Sequence, residues 1–175
     1  MTFEIHSDIT NRSMTVAARA MRKALRRKRS IIWAIYGWSV FLFSALLLIP
    51  FDGEPFALDV RTVTSLLVEV MLLLSVLLFQ DRFIGVIARK NTLAGTKEYH
   101  VTFGEDSYTV ITAATTSTFH YELIDALAES QDYIIFLMKK RYAQPLDKRT
   151  LTGGTVEEFK RFLEEKTGKT FRRVK

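Results

Sequence analysis

Glu69 is the residue whose position most suggests chemistry. It interrupts an apolar run, residues 63–79, that carries no other charged side chain. In a helix Glu69 would lie about seven residues, or roughly 10 Å, inside the end of that run. A carboxylate in a hydrocarbon environment costs on the order of 2.5–3.5 kcal/mol, so this residue predicts either proton or cation handling or a polar packing contact.

A second apolar run, residues 30–51, offers a surface against which Glu69 could pack. Glu69 shares one helix face with Thr62 and Ser65, and Gly37 and Ser44 fall at matching depth if the two runs are antiparallel. We expect Glu69 and Ser65 to pack against the face that carries Gly37 and Ser44, or against an equivalent surface of a partner. Transport chemistry is the weaker alternative, because a relay needs a second buried ionisable group.

The other reactive residue types do not combine into a catalytic or metal site. His6, His100 and His120 lack a metal-ligand spacing, so ordinary strand positions are the preferred interpretation, and a metal site that includes Glu98 or Glu122 is the alternative. No nucleophile motif appears, and the chain has no Cys, which excludes disulfides and Cys-ligated metals. We therefore predict no catalytic, metal or cofactor-binding residues and no enzymatic activity.

Two apolar stretches determine the class of protein. Residues 30–51 and residues 62–80 are each long enough, at about 1.5 Å per residue, to cross a hydrocarbon core of roughly 30 Å. They predict a two-helix transmembrane hairpin over residues 30–80. A basic segment, residues 1–29, precedes the hairpin, and an exit helix, residues 81–92, follows it.

The net charge of +6 arises mainly before the first apolar stretch. Cationic segments beside a span stay in the cytoplasm, and the connecting loop carries Asp52, Glu54 and Asp59 against Arg61 alone, so both termini are predicted to be cytoplasmic. Six cations are predicted to contact anionic lipid headgroups: Arg22, Lys23, Arg26, Arg27, Lys28 and Arg29. Nucleic-acid binding is not expected, because no aromatic residues are interleaved with these cations.

Short strands and one helix are predicted in residues 93–175. Alternating patterns indicate strands at residues 99–103, 108–112, 117–122, 133–138 and 142–146, whereas residues 123–130 are ambiguous. Thr155 and Glu158 fit a capping box, and Gly168 suits the end of the helix that follows. A further helix is expected from about residue 13 to residue 29, capped by Asp8 or Asn11. The fold class is α+β, with an antiparallel β domain closed by the C-terminal helix.

Four patterns in this part of the chain resemble the YcxB-like family of bacterial membrane proteins. They are the turn at residues 101–106, the strands at residues 119–121 and 132–137, and the helix at residues 157–163. The resemblance implies two spans in the bacterial plasma membrane and a C-terminal domain of the pleckstrin-homology type, a bent sheet closed by one helix. The family often has a proline directly before a Lys-Arg pair, whereas Asp147 precedes Lys148 and Arg149 here and Pro145 lies two residues earlier.

These features predict a membrane-anchored cytoplasmic interaction module without enzymatic activity. Its expected partner is another protein or a second copy of the chain, bound by strand addition or through the helix-facing surface. The alternative is a sensor of anionic lipid, in which the basic N-terminal segment and the Lys148-Arg149 pair contact headgroups.

Overall fold

The computed structural model describes residues 2–25, 27–47, 60–93, 95–139 and 142–174. Arg26, the side chains of Arg27 and Arg29, the end of the first predicted span at residues 48–51 and the acidic loop up to residue 59 lie outside this description. The chain divides into two units, one made of Met1–Arg26 and Asp81–Lys175 and the other of Arg27–Gln80.

Eight strands of the larger unit form two sheets. The first sheet contains β1 (Phe3–Asp8), β2 (Glu98–Phe103), β3 (Ser107–Thr112) and β4 (Thr116–His120), all antiparallel and in that order. The second has the order β7-β6-β5-β8, formed by β5 (Ile124–Glu129), β6 (Tyr133–Met138), β7 (Tyr142–Asp147) and β8 (Phe171–Arg173), with β8 parallel to β5. The prediction of an α+β domain with antiparallel strands is confirmed at this level.

The N-terminal residues belong to this unit rather than forming a separate segment. In β1, Phe3 and Ile5 are buried opposite Phe103 and Val101 of β2. Helix α1 (Asn11–Ala24) packs on the second sheet through Ala17, Ala20 and Met21. The structure thus divides the chain differently from the predicted boundaries at residues 29 and 93, because the apolar faces of β1 and α1 complete the core of the domain.

Strand β6 has both faces covered, which explains its unbroken apolar sequence. Ile134 and Phe136 lie in the core with the first sheet, whereas Ile135 and Leu137 contact the cluster that includes α1. A strand buried on both sides has no polar face and so does not alternate. Strand β7 is at the sheet edge, where Pro145 is tolerated although it cannot donate to the ladder.

The C-terminal helix α4 (Val156–Thr167) is capped as predicted. The Thr155 hydroxyl accepts a hydrogen bond from the Glu158 backbone N–H, while the Glu158 carboxylate accepts one from the Thr155 backbone N–H at 2.8 Å. Gly168 ends the helix in the left-handed region at φ 64°. Phe159 stacks in the core against Phe3 and Phe103, at centroid distances of 5.1 and 4.7 Å, so α4 covers the apolar face of the first sheet.

Two local predictions need correction. Thr10, rather than Asp8 or Asn11, caps α1, because its hydroxyl accepts from the Ser13 N–H at 3.0 Å and Ser13 reciprocates. The strand expected at residues 117–122 ends at His120, and a 3₁₀ turn (Tyr121–Leu123) follows. Ile124–Glu129, in the stretch that the sequence left ambiguous, is a strand that pairs through its backbone with β6 and β8.

In the other unit, the residues that the structure describes form apolar helices. Helix α2 spans Arg27–Leu47, and helix α3 spans Val60–Lys90 without a break, so it includes most of the predicted exit helix. Among the described residues, one helix, Thr62–Lys90, is long and apolar enough to cross a membrane, whereas Ser30–Leu46 is a shorter apolar helix. Length and composition therefore support one span directly.

Candidate interaction site

An open apolar groove is a prominent concavity of the domain. Its volume is about 830 Å³, and it lies between the free sides of β4 and β7. Lys139 alone carries a charge among the described residues that line it. The surrounding side chains are mostly apolar and include Ile9, Val110, Phe119, Leu123, Met138 and Tyr142. Such a surface suits an apolar ligand or the side chains of a bound peptide.

Strand β4 borders this groove as an unprotected sheet edge. It pairs with β3 on one side only, and Thr116–His120 contains neither proline nor Lys, Arg, Asp or Glu. The opposite edge of the same sheet is partly covered, because Glu4 of β1 exchanges two backbone hydrogen bonds with Thr152. Free backbone N–H and C=O groups on an edge strand can pair with an added strand, so β4 is the edge best suited to augmentation.

Tyr99 lines the groove and connects the two sheets. Its side chain is buried and its hydroxyl donates a hydrogen bond to the carbonyl oxygen of Pro145, joining β2 of the first sheet to β7 of the second. Burial raises the pKa of Tyr99 far above its ordinary value, so the hydroxyl stays protonated and keeps its role as donor. The two sheets are therefore tied together at the site where the groove opens.

A second, polar cleft of about 670 Å³ lies between α1 and the second sheet. Its charged lining residues are the cations Arg12, Arg19, Lys148 and Arg173 and the anions Glu129 and Asp132. Lys148 donates to Glu129 at 2.5 Å, and Lys160 donates to the other carboxylate oxygen at 2.8 Å. Burial raises the pKa of Glu129, but the hydrogen bonds from the two lysines outweigh it and the net pKa is lowered.

The Lys148-Arg149 pair is engaged within the domain. Lys148 contacts Glu129, and Arg149 donates two hydrogen bonds to the carboxylate of Asp147, which lowers the pKa of Asp147. The adjacent Gly153 has φ 90°, and a Cβ there would lie 2.2 Å from the carbonyl oxygen of Thr2. Glycine at position 153 thus allows β1 to approach, rather than forming a cradle for an anion.

The predicted headgroup residues have different environments. Arg22 donates from Nε and Nη2 to the two carboxylate oxygens of Asp81, at 2.8 and 2.6 Å, and these hydrogen bonds raise the pKa of Arg22. Lys23 and Lys28 are exposed. Arg26 and the side chains of Arg27 and Arg29 fall outside the described residues. Lipid contact stays a prediction for all six cations, and Arg22 also binds Asp81.

Of the residues predicted to pack between the two apolar helices, Gly37 lies against Leu73 rather than against Glu69. A Cβ on Gly37 would lie 2.9 Å from Cδ2 of Leu73, so α2 and α3 approach each other there. Glu69 and Ser44 are half-buried, while Ser65 is exposed. No hydrogen bond or ion pair joins Glu69 to another residue within the described ranges. Contact between Glu69 and the Gly37 face therefore stays a prediction.

The histidines do not form a metal centre in the described part of the chain. His6 and His100 lie opposite each other on β1 and β2. Their ring nitrogens contact Asp8 at 3.5 Å and Glu4 at 3.3 Å. No group of three or more His, Asp or Glu side chains among these residues could hold a metal ion.

Asp81 is a structural residue that the sequence analysis missed. It directly follows the predicted second span, yet only 5% of its surface is exposed, because Arg22 and Arg19 of α1 approach its carboxylate. A single acid at the end of an apolar run, together with cations on a nearby amphipathic helix, is the signal from which this pairing could have been inferred.

The fold combines an α+β domain of two sheets with an apolar helix that is long enough to cross a membrane. The family model described as YcxB-like protein matches residues 103–163, from the end of β2 into α4. The YcxB-like resemblance is confirmed over that part of the chain. Searches of curated proteins and of solved structures found no significant match.

Proposed function

We propose that this chain is a membrane-anchored interaction module that acts by binding a protein partner rather than by catalysis. The observation that carries the proposal is the apolar groove beside the unpaired edge of β4. An extended segment of a partner would pair with β4 through its backbone and place alternate apolar side chains in the groove. Lys139 at the rim would favour an acidic residue in that segment.

The proposed anchor is a hairpin of two spans, with both termini in the cytoplasm of a bacterium. Helix Thr62–Lys90 supports one span, and the other is supported by the apolar helix Ser30–Leu46 and by the apolar sequence of residues 47–51. The cations before α2 favour the cytoplasmic orientation. We also propose a pleckstrin-homology-like domain, which is supported by a four-stranded sheet, a second sheet and a closing C-terminal helix.

Site-specific photo-crosslinking in membranes of the expressing cell tests the groove. A photoreactive amino acid at Leu123, which is 37% exposed on the groove, is compared with one at Ile111, which is 43% exposed. Ile111 does not line the groove and is the matched control. We expect one protein to be captured from Leu123 and also from Tyr142, but not from Ile111. Equal capture from Leu123 and Ile111 would contradict the groove as the binding site.

Sensing of anionic lipid is the second candidate, supported by the excess of cations in the polar cleft. Four cations line it against two carboxylates, and Arg12 and Lys148 pair with those carboxylates, so Arg19 and Arg173 make up the excess. Hydrogen exchange of the full chain in phosphatidylcholine nanodiscs, with and without phosphatidylglycerol, tests this candidate. Slower exchange at residues 129–133 and 148 with phosphatidylglycerol, reversed by salt, would support it. Identical exchange in both lipids would exclude it.

A further inference from the structure

The last ten residues of α3 have an exposed apolar side. Phe83, Ile84 and Ile87 are 63%, 51% and 56% exposed, although they lie beyond the predicted end of the second span at residue 80. Neighbouring large apolar side chains on a helix normally face a core. These three residues therefore form an unsatisfied surface, which we call the distal stripe.

Two polar residues of the same helical segment, Asp81 and Arg89, contact α1. Asp81 pairs with Arg22, and Arg89 Nη1 donates to Asn11 Oδ1 at 3.3 Å. Gly85, between them in the helix, is buried, and a Cβ there would lie 2.6 Å from the backbone nitrogen of Thr15. The spacing 81, 85, 89 marks one helix face. The acid and one arginine thus lie on the protein side of the helix, away from the distal stripe.

Asp81 is the one acidic residue between Gln80 and Lys90, and its charge is compensated within the domain. Arg22 binds both of its carboxylate oxygens, and Nε of Arg19 lies 3.6 Å from Oδ2. Because this carboxylate is already buried and paired within the protein, lipid on the other side of the helix does not remove it from water. The distal stripe can therefore contact lipid although an acid lies two residues before it.

The distal stripe continues the apolar surface of the candidate span. Leu72, Val76 and Phe79 are exposed by 61%, 64% and 42%, and the series 72, 76, 79, 83, 87 keeps the spacing of one helix face. Lys90 follows three residues after Ile87 on that face and is exposed. An apolar stripe that ends in a lysine is typical of a helix leaving a membrane, because the ammonium group reaches the headgroups while its stem stays in the apolar layer.

We propose that α3 contacts lipid as far as Ile87, with the distal stripe in the interfacial layer of the bilayer and Lys90 at the headgroups. This inference rests on the proposed membrane anchor. Residues 62–80 span about 28 Å, close to the thickness of the hydrocarbon core, and residues 81–87 add about 10 Å. Residues 62–87 are together about 39 Å long, and at an ordinary tilt of about 20° they reach about 37 Å along the membrane normal, which is the thickness of the core plus one headgroup layer. Lipid, rather than a protein, is favoured because the stripe is continuous with the span.

Spin-label accessibility tests this proposal, since a chain without cysteine accepts single labels cleanly. The full-length variants Phe83→Cys and Ile87→Cys are labelled and reconstituted in phosphatidylcholine–phosphatidylglycerol vesicles, with a nickel chelate on both sides. Leu72→Cys, within the span, and Leu93→Cys, which is 75% exposed beyond α3, are the two references. Oxygen is enriched in the apolar layer, whereas the chelate stays in water.

The depth value of a label is the ratio of its accessibility to oxygen to its accessibility to the nickel chelate. We expect the depth values at positions 83 and 87 to lie at least halfway between the value for Leu93→Cys and the higher value for Leu72→Cys. Values equal to that of Leu93→Cys, with a lipid-like value at position 72, would overturn the distal stripe alone. A water-like value at position 72 as well would overturn the membrane anchor. Loss of access to both reagents, with spin–spin broadening at position 83, would show that a second copy covers the stripe and would also overturn lipid contact.

Discussion

Arg22 and Asp81 form a two-point ion pair between α1 and α3. The two hydrogen bonds are 2.8 and 2.6 Å long, and 7% of the Asp81 side chain is exposed. One partner lies in the N-terminal residues and the other directly after the predicted second span. The pair therefore ties the exit of α3 to the domain through one of the cations that were predicted to contact lipid headgroups.

Loss of this ion pair should destabilise the domain. Asp81→Asn keeps the size of the side chain but leaves Arg22 without its charged partner, and we expect a loss of about 1.5–3 kcal/mol in the free energy of unfolding. Thermal unfolding in mild detergent, followed by near-ultraviolet circular dichroism, measures the loss. Glu165→Gln, an exposed change on α4, is the control and should be neutral. Equal stability of the two variants would contradict a structural role for the pair.

Substitution of Gly85 should be more harmful than substitution of Gly37. A Cβ on Gly85 would meet the backbone of Thr15 at 2.6–2.8 Å, whereas a Cβ on Gly37 would meet only the end of the flexible Leu73 side chain at 2.9 Å. Overpacking against backbone costs about 1–3 kcal/mol, and alanine recovers at most about 1 kcal/mol of helix propensity.

Thermal unfolding of the two alanine variants checks this difference. Gly85→Ala should lower the Tm by several degrees, at about 2–4 °C per kcal/mol for a chain of this size, and Gly37→Ala should leave it within about 2 °C. A larger loss from Gly37→Ala than from Gly85→Ala would show that α1 and α3 do not approach as closely as described.

Glu129 should contribute stability that depends on pH. Its pKa is lowered in the folded protein, so the contribution is present above the ordinary value of 4.5 and is lost as the pH falls through the folded value. Glu129→Gln should cost about 1–2 kcal/mol at pH 7, because Lys148 and Lys160 lose their charged acceptor.

The cost of Glu129→Gln should shrink as the pH falls below the folded pKa of Glu129, where the wild-type carboxyl is also neutral. Urea unfolding of the full chain in detergent at pH 7 and at successively lower pH values measures the change. Glu105→Gln, in the exposed turn after β2, is the matched control. A cost for Glu129→Gln that stays constant with pH would contradict the ion pairs.

Alkaline pH should unfold the domain. Burial raises the pKa of Tyr99, Tyr108 and Tyr121 beyond the range in which tyrosine normally ionises. Because the unfolded chain ionises these groups near pH 10, their stabilising effect is complete below that pH and is lost progressively above it. Ultraviolet titration of the full chain should show Tyr99, Tyr108 and Tyr121 ionising together with the loss of structure. Ionisation of these three residues near pH 10, before any unfolding, would contradict their burial.

Local sequence signals determined much of this protein. The capping box at Thr155 and Glu158, the glycine stop at Gly168 and the alternation of β2 and β3 depend on neighbouring residues, so their structures could be predicted. The apolar runs likewise identified the helices of the second unit, because hydrophobicity over some twenty residues needs no tertiary partner to be recognised.

Only the tertiary structure decided where β1 and α1 belong, what Arg22 contacts and where the groove opens. Phe3 pairs with Phe103, a hundred residues later, and Arg22 binds Asp81, although both apolar helices lie between them in the sequence. The spacing of residues in the sequence does not indicate such distant contacts. Whether a cation contacts lipid or a buried carboxylate depends on which surfaces the fold brings together. The sequence shows only that Arg22 belongs to a basic segment, whereas the structure shows that its guanidinium binds Asp81.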